Sequence, residues 1–427
     1  MKFQKTILKN GLRVIIVPMK DNPAVTVMVL VEAGSKYETA SNNGISHFLE
    51  HMVFKGTPKR PKAIDISREL DSIGSHYNAF TGQEYTGYYA KVDPRHLDTA
   101  LDIVSDMYLN PLFDEAEIKK EKGVIVEEIR MYQDMPQRHI QDLFTKLMYG
   151  DQPAGWSIAG SEATVKSFDR KDFVDYRAEH YVASATTVIM AGSFGEKYDE
   201  AALIAKIDGI FSNLSSTKKA PKVAVIEKQV APQTLIHFKE TDQTHLILGV
   251  RSFSVQSAHN PALRVLGTIL GGGMSSRLFQ KLRDEMGVAY YVRAENDPYT
   301  DHGIFSVSAG VDNARVEEVL KAIILELKKL ATELVPADEL QKSKDYMNGS
   351  MMLSLESSDS QAEFCAFQEI LKKEIKTPVQ IAEETDRVTA EQVREIAATI
   401  FKDEGLNFAL IGRFKDEAVL KPILTFK

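Results

Sequence analysis

At 427 residues the chain exceeds what one hydrophobic core supports, and two or three domains are expected. A formal net charge of -8 and a pI near 5.8 argue against a nucleic-acid-binding protein, which carries a basic face. No apolar run approaches the roughly 18–20 residues that span a bilayer, and the single cysteine, Cys365, excludes an internal disulfide framework and fits a reducing, cytoplasmic setting.

The N-terminal stretch MKFQKTILKNGLRVIIVP alternates like a strand and lacks the apolar core and cleavage site of a signal peptide. Residues 27–35, VMVLVEAGS, read as an alternating strand that runs into a loop. A helix over residues 45–53 places Ile45, Phe48, Leu49, Met52 and Val53 on one apolar stripe. His47, Glu50 and His51 then fall together on the opposite side. Residues 75–92, SHYNAFTGQEYTGYYAKV, read as strand with a glycine bend, followed by a turn at Asp93 and an amphipathic helix to residue 109. Asp114 opens a long helix, with Glu117 completing a capping-box pattern.

The remainder repeats this plan. Residues 27–35 match 246–254, residues 87–109 match 303–327, and residues 169–194 match 389–414, three pairs in one order at an offset near half the length. Asp169 and Thr389 are N-cap candidates in the last pair, and each copy closes on a strand ending at Gly192 or Gly412. The lysine-, serine- and proline-rich residues 216–232 read as a linker between a domain over 1–215 and a homologous one over 233–427. Strands and helices do not alternate regularly. The expected fold class is therefore α+β, each domain a largely antiparallel sheet with helices packed on one face.

His47 and His51, four apart on a helix, send their imidazoles out side by side and can share one metal ion. Glu50 stands beside them with a carboxylate free to act as a base. The order H-x-x-E-H is a zinc peptidase signature, the reverse of the commoner H-E-x-x-H. Five residues alone also suit an ordinary polar helix face, and a catalytic zinc site needs a third protein ligand. On the helix after Asp114, Glu121 and Glu128 lie two turns apart on one face, while Glu127 points about 100° away. By spacing alone these carboxylates fit a solvated surface equally well.

HFLEHMVFKGT, followed by Glu121 and Glu128 at this separation, resembles the zinc peptidases that include pitrilysin, insulin-degrading enzyme and mitochondrial processing peptidase. The resemblance implies one zinc per chain on His47, His51 and Glu128, Glu50 as general base for a zinc-activated water, and Glu121 as an acid orienting the site. GGGMSSRLFQKLRDEMGVAYYV (271–292) resembles the family's substrate-side motif and implies roles for Arg283 and Tyr290 in holding substrate and stabilising the tetrahedral intermediate. Taken alone, Arg283 could equally form a surface ion pair with Asp284 or Glu285. Asn78 and Ala79 match the strand whose backbone receives the peptide in relatives. The second copy has GTILGGG where the first has HMVFKGT, so only the N-terminal half is expected to bind zinc. The implied function is a zinc metalloendopeptidase acting on peptides or unfolded polypeptides, a half-length member that pairs as a homodimer. The alternative is a non-catalytic or partner-requiring subunit, as in complex III cores or mitochondrial processing peptidase.

Overall fold

The computed structural model describes residues 1–195, 198–415 and 417–426. Strands β1 (Gln4–Ile7), β2 (Arg13–Pro18) and β3 (Val25–Val31) open the chain. Helices α1 (Ile45–Met52) and α2 (Ala63–Ser72), the hairpin β4 (His76–Thr81) and β5 (Thr86–Val92), and α3 (Leu97–Leu109) follow. Next come α4 (Glu115–Asp134), α5 (Pro136–Tyr149), α6 (Glu162–Ser167), α7 (Arg170–His180), β6 (Thr186–Gly192) and α8 (Glu200–Phe211).

The second half begins with β7 (Gln233–Phe238), β8 (Thr244–Ser252), α9 (Asn260–Gly271) and α10 (Arg277–Phe279). The last of these continues as a π-helical turn over Gln280–Glu285. Then come β9 (Ala289–Pro298), β10 (Gly303–Val311), α11 (Val316–Thr332), α12 (Ala337–Ser354) and α13 (Ser358–Lys372). The chain closes with α14 (Pro378–Asp386), α15 (Ala390–Ile400), β11 (Asn407–Gly412) and α16 (Glu417–Leu420).

These elements form two compact units, neither contiguous in sequence. The first holds Met1–Arg130, Trp156–Val223 and Met352–Thr377; the second holds Met131–Gly155, Ala224–Met351 and the residues from Pro378 onward. In the first, six strands run in the order β1-β2-β6-β3-β5-β4, antiparallel except for β2 with β6. The second has five in the order β7-β11-β8-β10-β9, antiparallel except for β7 with β11. Strand for strand, the second sheet repeats β2-β6-β3-β5-β4. The three sequence matches fall on β3 with β8, on β5–α3 with β10–α11, and on α7–β6 with α15–β11. Asp169 and Thr389 both cap their helices as expected, accepting from the backbone N–H groups of Asp172 and Gln392. Asp114 likewise accepts from Ala116 and Glu117 N–H, although the Glu117 side chain reaches Lys120 rather than closing a capping box.

In each unit one sheet face carries most of the helices. Val27, Val29 and Val31 of β3 meet α1, α3, α7 and α8 in the larger core, while Met28 and Leu30 point the other way. That second face is covered chiefly by α13, through Ala362, Cys365, Ala366 and Ile370. In the second unit, α5 does the same with Ile140, Phe144 and Met148 against Ile247, Ala409 and Ile411. Each sheet therefore buries its second face under a helix from the other half of the sequence. Covering both faces is why every residue of β3 and β6 is buried, threonines included, where the sequence suggested an alternating strand over 27–35.

Helix α1 is seated by its apolar stripe: Ile45, Phe48, Leu49, Met52 and Val53 are each at most 1% exposed. Phe48 packs edge-on against Phe173, ring centroids 4.8 Å apart. Its start is fixed by Gly44, whose φ of 98° suits glycine and where a Cβ would meet the Ala159 carbonyl oxygen at 2.7 Å. The buried Glu38 carboxylate closes the same end, accepting from Gly44 N–H at 2.8 Å, Ser46 N–H at 2.9 Å and the Asn43 amide at 2.9 Å. Burial pushes Glu38 above the usual carboxylate range, partly offset by these donors. Glu38→Ala would leave two buried helix N–H groups unmet. It is expected to lower stability by about 1–3 kcal/mol, read as a lower denaturation midpoint; an unchanged midpoint would refute this role for Glu38.

Candidate metal centre

The polar side of α1 faces the helix that follows Asp114. Ile118, Ile125 and Ile129 of α4 are buried, which turns Glu121 and Glu128 toward α1. His47 Nε2 lies 3.8 Å from Glu128 Oε1, and His51 Nε2 lies 3.5 Å from Glu128 Oε2. The two imidazole rings stand 4.8 Å apart, centroid to centroid. One ligand atom from each of His47, His51 and Glu128 falls within 4.8 Å of the others, the one such cluster among the described residues. A tetrahedral zinc with bonds of about 2.0–2.1 Å sets its ligand atoms about 3.4 Å apart, so this donor set fits the ion after small side-chain shifts. Glu127, on the neighbouring face, pairs with Arg130 instead.

The surroundings differentiate the titratable groups. Burial and the neighbouring His51 depress His47 to about 4, against the pull of Glu128, so its imidazole is neutral at pH 7. For His51, burial acts downward but is outweighed by the hydrogen bond to Glu121 and by the charges of Glu128, Glu121 and Glu50. His51 Nδ1 lies 2.9 Å from Glu121 Oε1, and Lys55 Nζ lies 2.7 Å from the other Glu121 oxygen. Burial would raise Glu121, which is 4% exposed, but His51 and Lys55 hold it below its ordinary range. An ionised Glu121 accepts a hydrogen bond from Nδ1–H, which in the neutral ring leaves the Nε2 lone pair facing Glu128.

Glu50 sits beside this cluster. Burial raises its carboxyl above the ordinary range, with Thr81 and His51 pulling it down and Glu128 adding to the rise. Its Oε2 accepts from Thr81 Oγ1 at 2.5 Å. Thr81 ends β4, the edge strand of the sheet, which also carries Asn78 and Ala79. Gly82 N–H bonds to the Tyr85 carbonyl just beyond β4. The antiparallel alternation then turns the backbone groups of Phe80 and Asn78 inward and those of Ala79 and Thr81 to the open edge. Ala79 N–H is meanwhile taken by the Asn78 side-chain oxygen at 2.9 Å.

Arg283 and Tyr290 belong to the second unit. Their spacing of seven spans two elements, a π-helical turn and the start of β9. Arg283 Nη1 donates to the Tyr290 carbonyl at 2.5 Å and its guanidinium lies over the Phe279 ring. Asp284 and Glu285, the surface partners that the sequence left open for Arg283, are engaged by Gln280 and Lys281. The Tyr290 ring is 60% exposed. In α9, the counterpart of α1, no metal-ligating cluster occurs among the described residues.

Three supporting residues escaped the sequence reading. Lys55 lies one turn after His51 and carried a signal in its i+4 spacing. Thr81 shares the face of Ala79 by strand alternation. Glu38, outside any helix, carried none.

Residues 13–162 match the insulinase domain of peptidase family M16, and residues 167–347 match the domain described as peptidase M16 inactive domain. A Bacillus subtilis protein named an uncharacterized zinc protease is 36% identical over 93% of this chain and 95% of its own length. One of the same description from Streptomyces coelicolor is 32% identical over 97% of this chain and 90% of its own. The fold is that of a Helicobacter pylori protease, with a TM-score of 0.89 at 24% identity, covering 96% of this chain and 99% of that one. A Pseudomonas fluorescens structure described as a peptidase M16 inactive domain gives a TM-score of 0.88 at 16% identity, covering 97% and 99%. With the zinc signature and both halves accounted for, the chain belongs to peptidase family M16.

Proposed function

We propose that this chain is a zinc-dependent endopeptidase acting on peptides or unfolded polypeptides. The observation that carries the reading is the convergence of His47, His51 and Glu128, with Glu50 beside them and an open strand edge next to it. A zinc ion held by those three side chains would supply a Lewis acid that polarises the scissile carbonyl and lowers the pKa of water. Glu50 takes a proton from the attacking water and returns it to the leaving amine. Glu121, held in turn by Lys55, fixes the His51 ring so that Nε2 points at the ligand set. The edge strand β4 at Ala79, beside Asn78, receives the peptide as an added strand. Arg283 and Tyr290 serve the substrate side, a cation and a phenol suited to a developing oxyanion.

In this reading residues 1–215 supply the catalytic domain, 216–232 the linker and 233–427 the substrate-side domain, apart from the exchanged segments Met131–Gly155 and Met352–Thr377. Both motifs lie on one chain, so a homodimer needs no different partner. No described helix is long and apolar enough to cross a membrane. The lone Cys365 is buried with its thiol pushed up to about 12, which fits a reducing cytoplasm without requiring it.

Glu50→Gln is expected to lower peptide hydrolysis by about 10²–10⁴-fold with zinc content unchanged; turnover at the wild-type rate removes Glu50 as the base. His51→Ala should take the purified protein from one zinc per chain to nearly none by elemental analysis, and full occupancy would sink the ligand assignment. On a sizing column, hydrolysis should co-elute with a species near twice the 47.7 kDa chain mass. Activity that emerges only after a different protein is added would favour the partner-requiring alternative.

A further inference from the structure

The edge strand offers more than backbone groups. Of the two Glu50 oxygens, Oε2 accepts from the Thr81 hydroxyl at 2.5 Å, and no donor among the described residues reaches Oε1. A glutamate carboxylate can rotate about three side-chain bonds, and a base must present one oxygen in a fixed direction to act efficiently. One hydrogen bond from a neighbouring element supplies that constraint here. Resting on the peptidase reading above, we propose that Thr81 is the positioning residue for Glu50, tying the base to the strand that receives the peptide and leaving Oε1 as the oxygen that takes the proton.

Thr81 is itself well held. It is the last residue of β4, and the turn that follows is bound from outside the hairpin. Ser35 N–H donates to the Gly82 carbonyl at 3.3 Å and Lys36 N–H to the Gln83 carbonyl at 2.8 Å. A Cβ at Gly34 would stand 2.3 Å from the Gly82 oxygen, so this approach requires glycine there. The buried Lys36 ammonium reaches Glu84 at 3.1 Å, and Lys222 contacts the same carboxylate. Thr81 therefore offers its hydroxyl from a hairpin end with little freedom, while its backbone faces the open edge. A peptide paired along that edge and the base Glu50 take their position from one residue. In the proton transfer, the water O–H bond breaks and the new O–H bond forms on Oε1. The electron pair left on the water oxygen forms the new C–O bond at the carbonyl carbon, and the C=O π pair moves onto the carbonyl oxygen.

Thr81→Val keeps shape and β-propensity and deletes only the hydroxyl. Expected are a loss in kcat of about 10–100-fold, a KM within about threefold of wild type, and unchanged zinc content. Thr81→Ser, which restores the donor, should recover kcat to within about threefold. Wild-type kcat in Thr81→Val, an equal defect in Thr81→Ser, or a loss confined to KM would each overturn the proposal. A thermal cycle decides the contact without reference to turnover. Once Glu50 is replaced by alanine, adding Thr81→Val should shift Tm no further, whereas additive shifts would refute the coupling. A wild-type chain that hydrolyses no peptide would defeat the peptidase reading, and the thermal cycle would still test Thr81.

Discussion

The apolar stripe of α1 is the constraint on which the site depends. Ile45, Phe48, Leu49 and Met52, with Val53 just beyond, are buried in the core and fix the rotation of an eight-residue helix, and His47, Glu50 and His51 lie on its other side because no other rotation keeps that stripe dry. Glu38 and Gly44 fix its position along its axis, since the first turn is hydrogen-bonded to one buried carboxylate and pressed against the Ala159–Gly160 backbone. Helix α4 meets it under the same kind of control. Its buried isoleucines decide which carboxylates turn inward, and those are Glu121 and Glu128.

Three carboxylates gathered around two imidazoles would repel one another in a site without cations. Here each has a different environment. Glu121 is held ionised by His51 and Lys55, Glu128 faces both Nε2 atoms, and Glu50 is raised by burial. Neighbouring acids with divergent environments can hold divergent roles, and the proposed mechanism uses one to orient, one to ligate and one to accept a proton. The surplus of negative charge is what a divalent cation neutralises.

Much of this was legible in residue order. The 3.6-residue period of α1 gave both its buried face and the grouping of His47, Glu50 and His51, and the two-turn spacing of Glu121 and Glu128 survived intact. The internal repeat proved to be a repeat of sheet order, because alternation and turn residues are local signals that both copies retain. Less local features were hidden. An amphipathic helix does not say which sheet it will cover, so nothing in α5 or α13 announced that each serves the other half's sheet. Arg283 and Tyr290, seven apart, mimic a helical spacing although a turn separates their elements. Thr81 and Lys55 are common surface residues whose value lies in what they touch.

The reciprocal placement of α5 and α13 bears on how the chain is made. The underside of the first sheet, with Ile15, Val17, Met28, Leu30 and Ile189, lacks its covering helix until the residues of α13 exist. At about 5–20 residues per second, the ribosome needs roughly 7–28 s to travel from the end of the linker to the end of α13. During that interval the nascent N-terminal half presents a wide apolar face, the kind of surface that holding chaperones recognise. Contacts between β3 and α13 also join residues more than 300 positions apart, so this part of the core forms late. A cut between the two halves would leave each sheet without its own cover. Separately expressed halves should therefore be poor soluble proteins that regain order only when mixed.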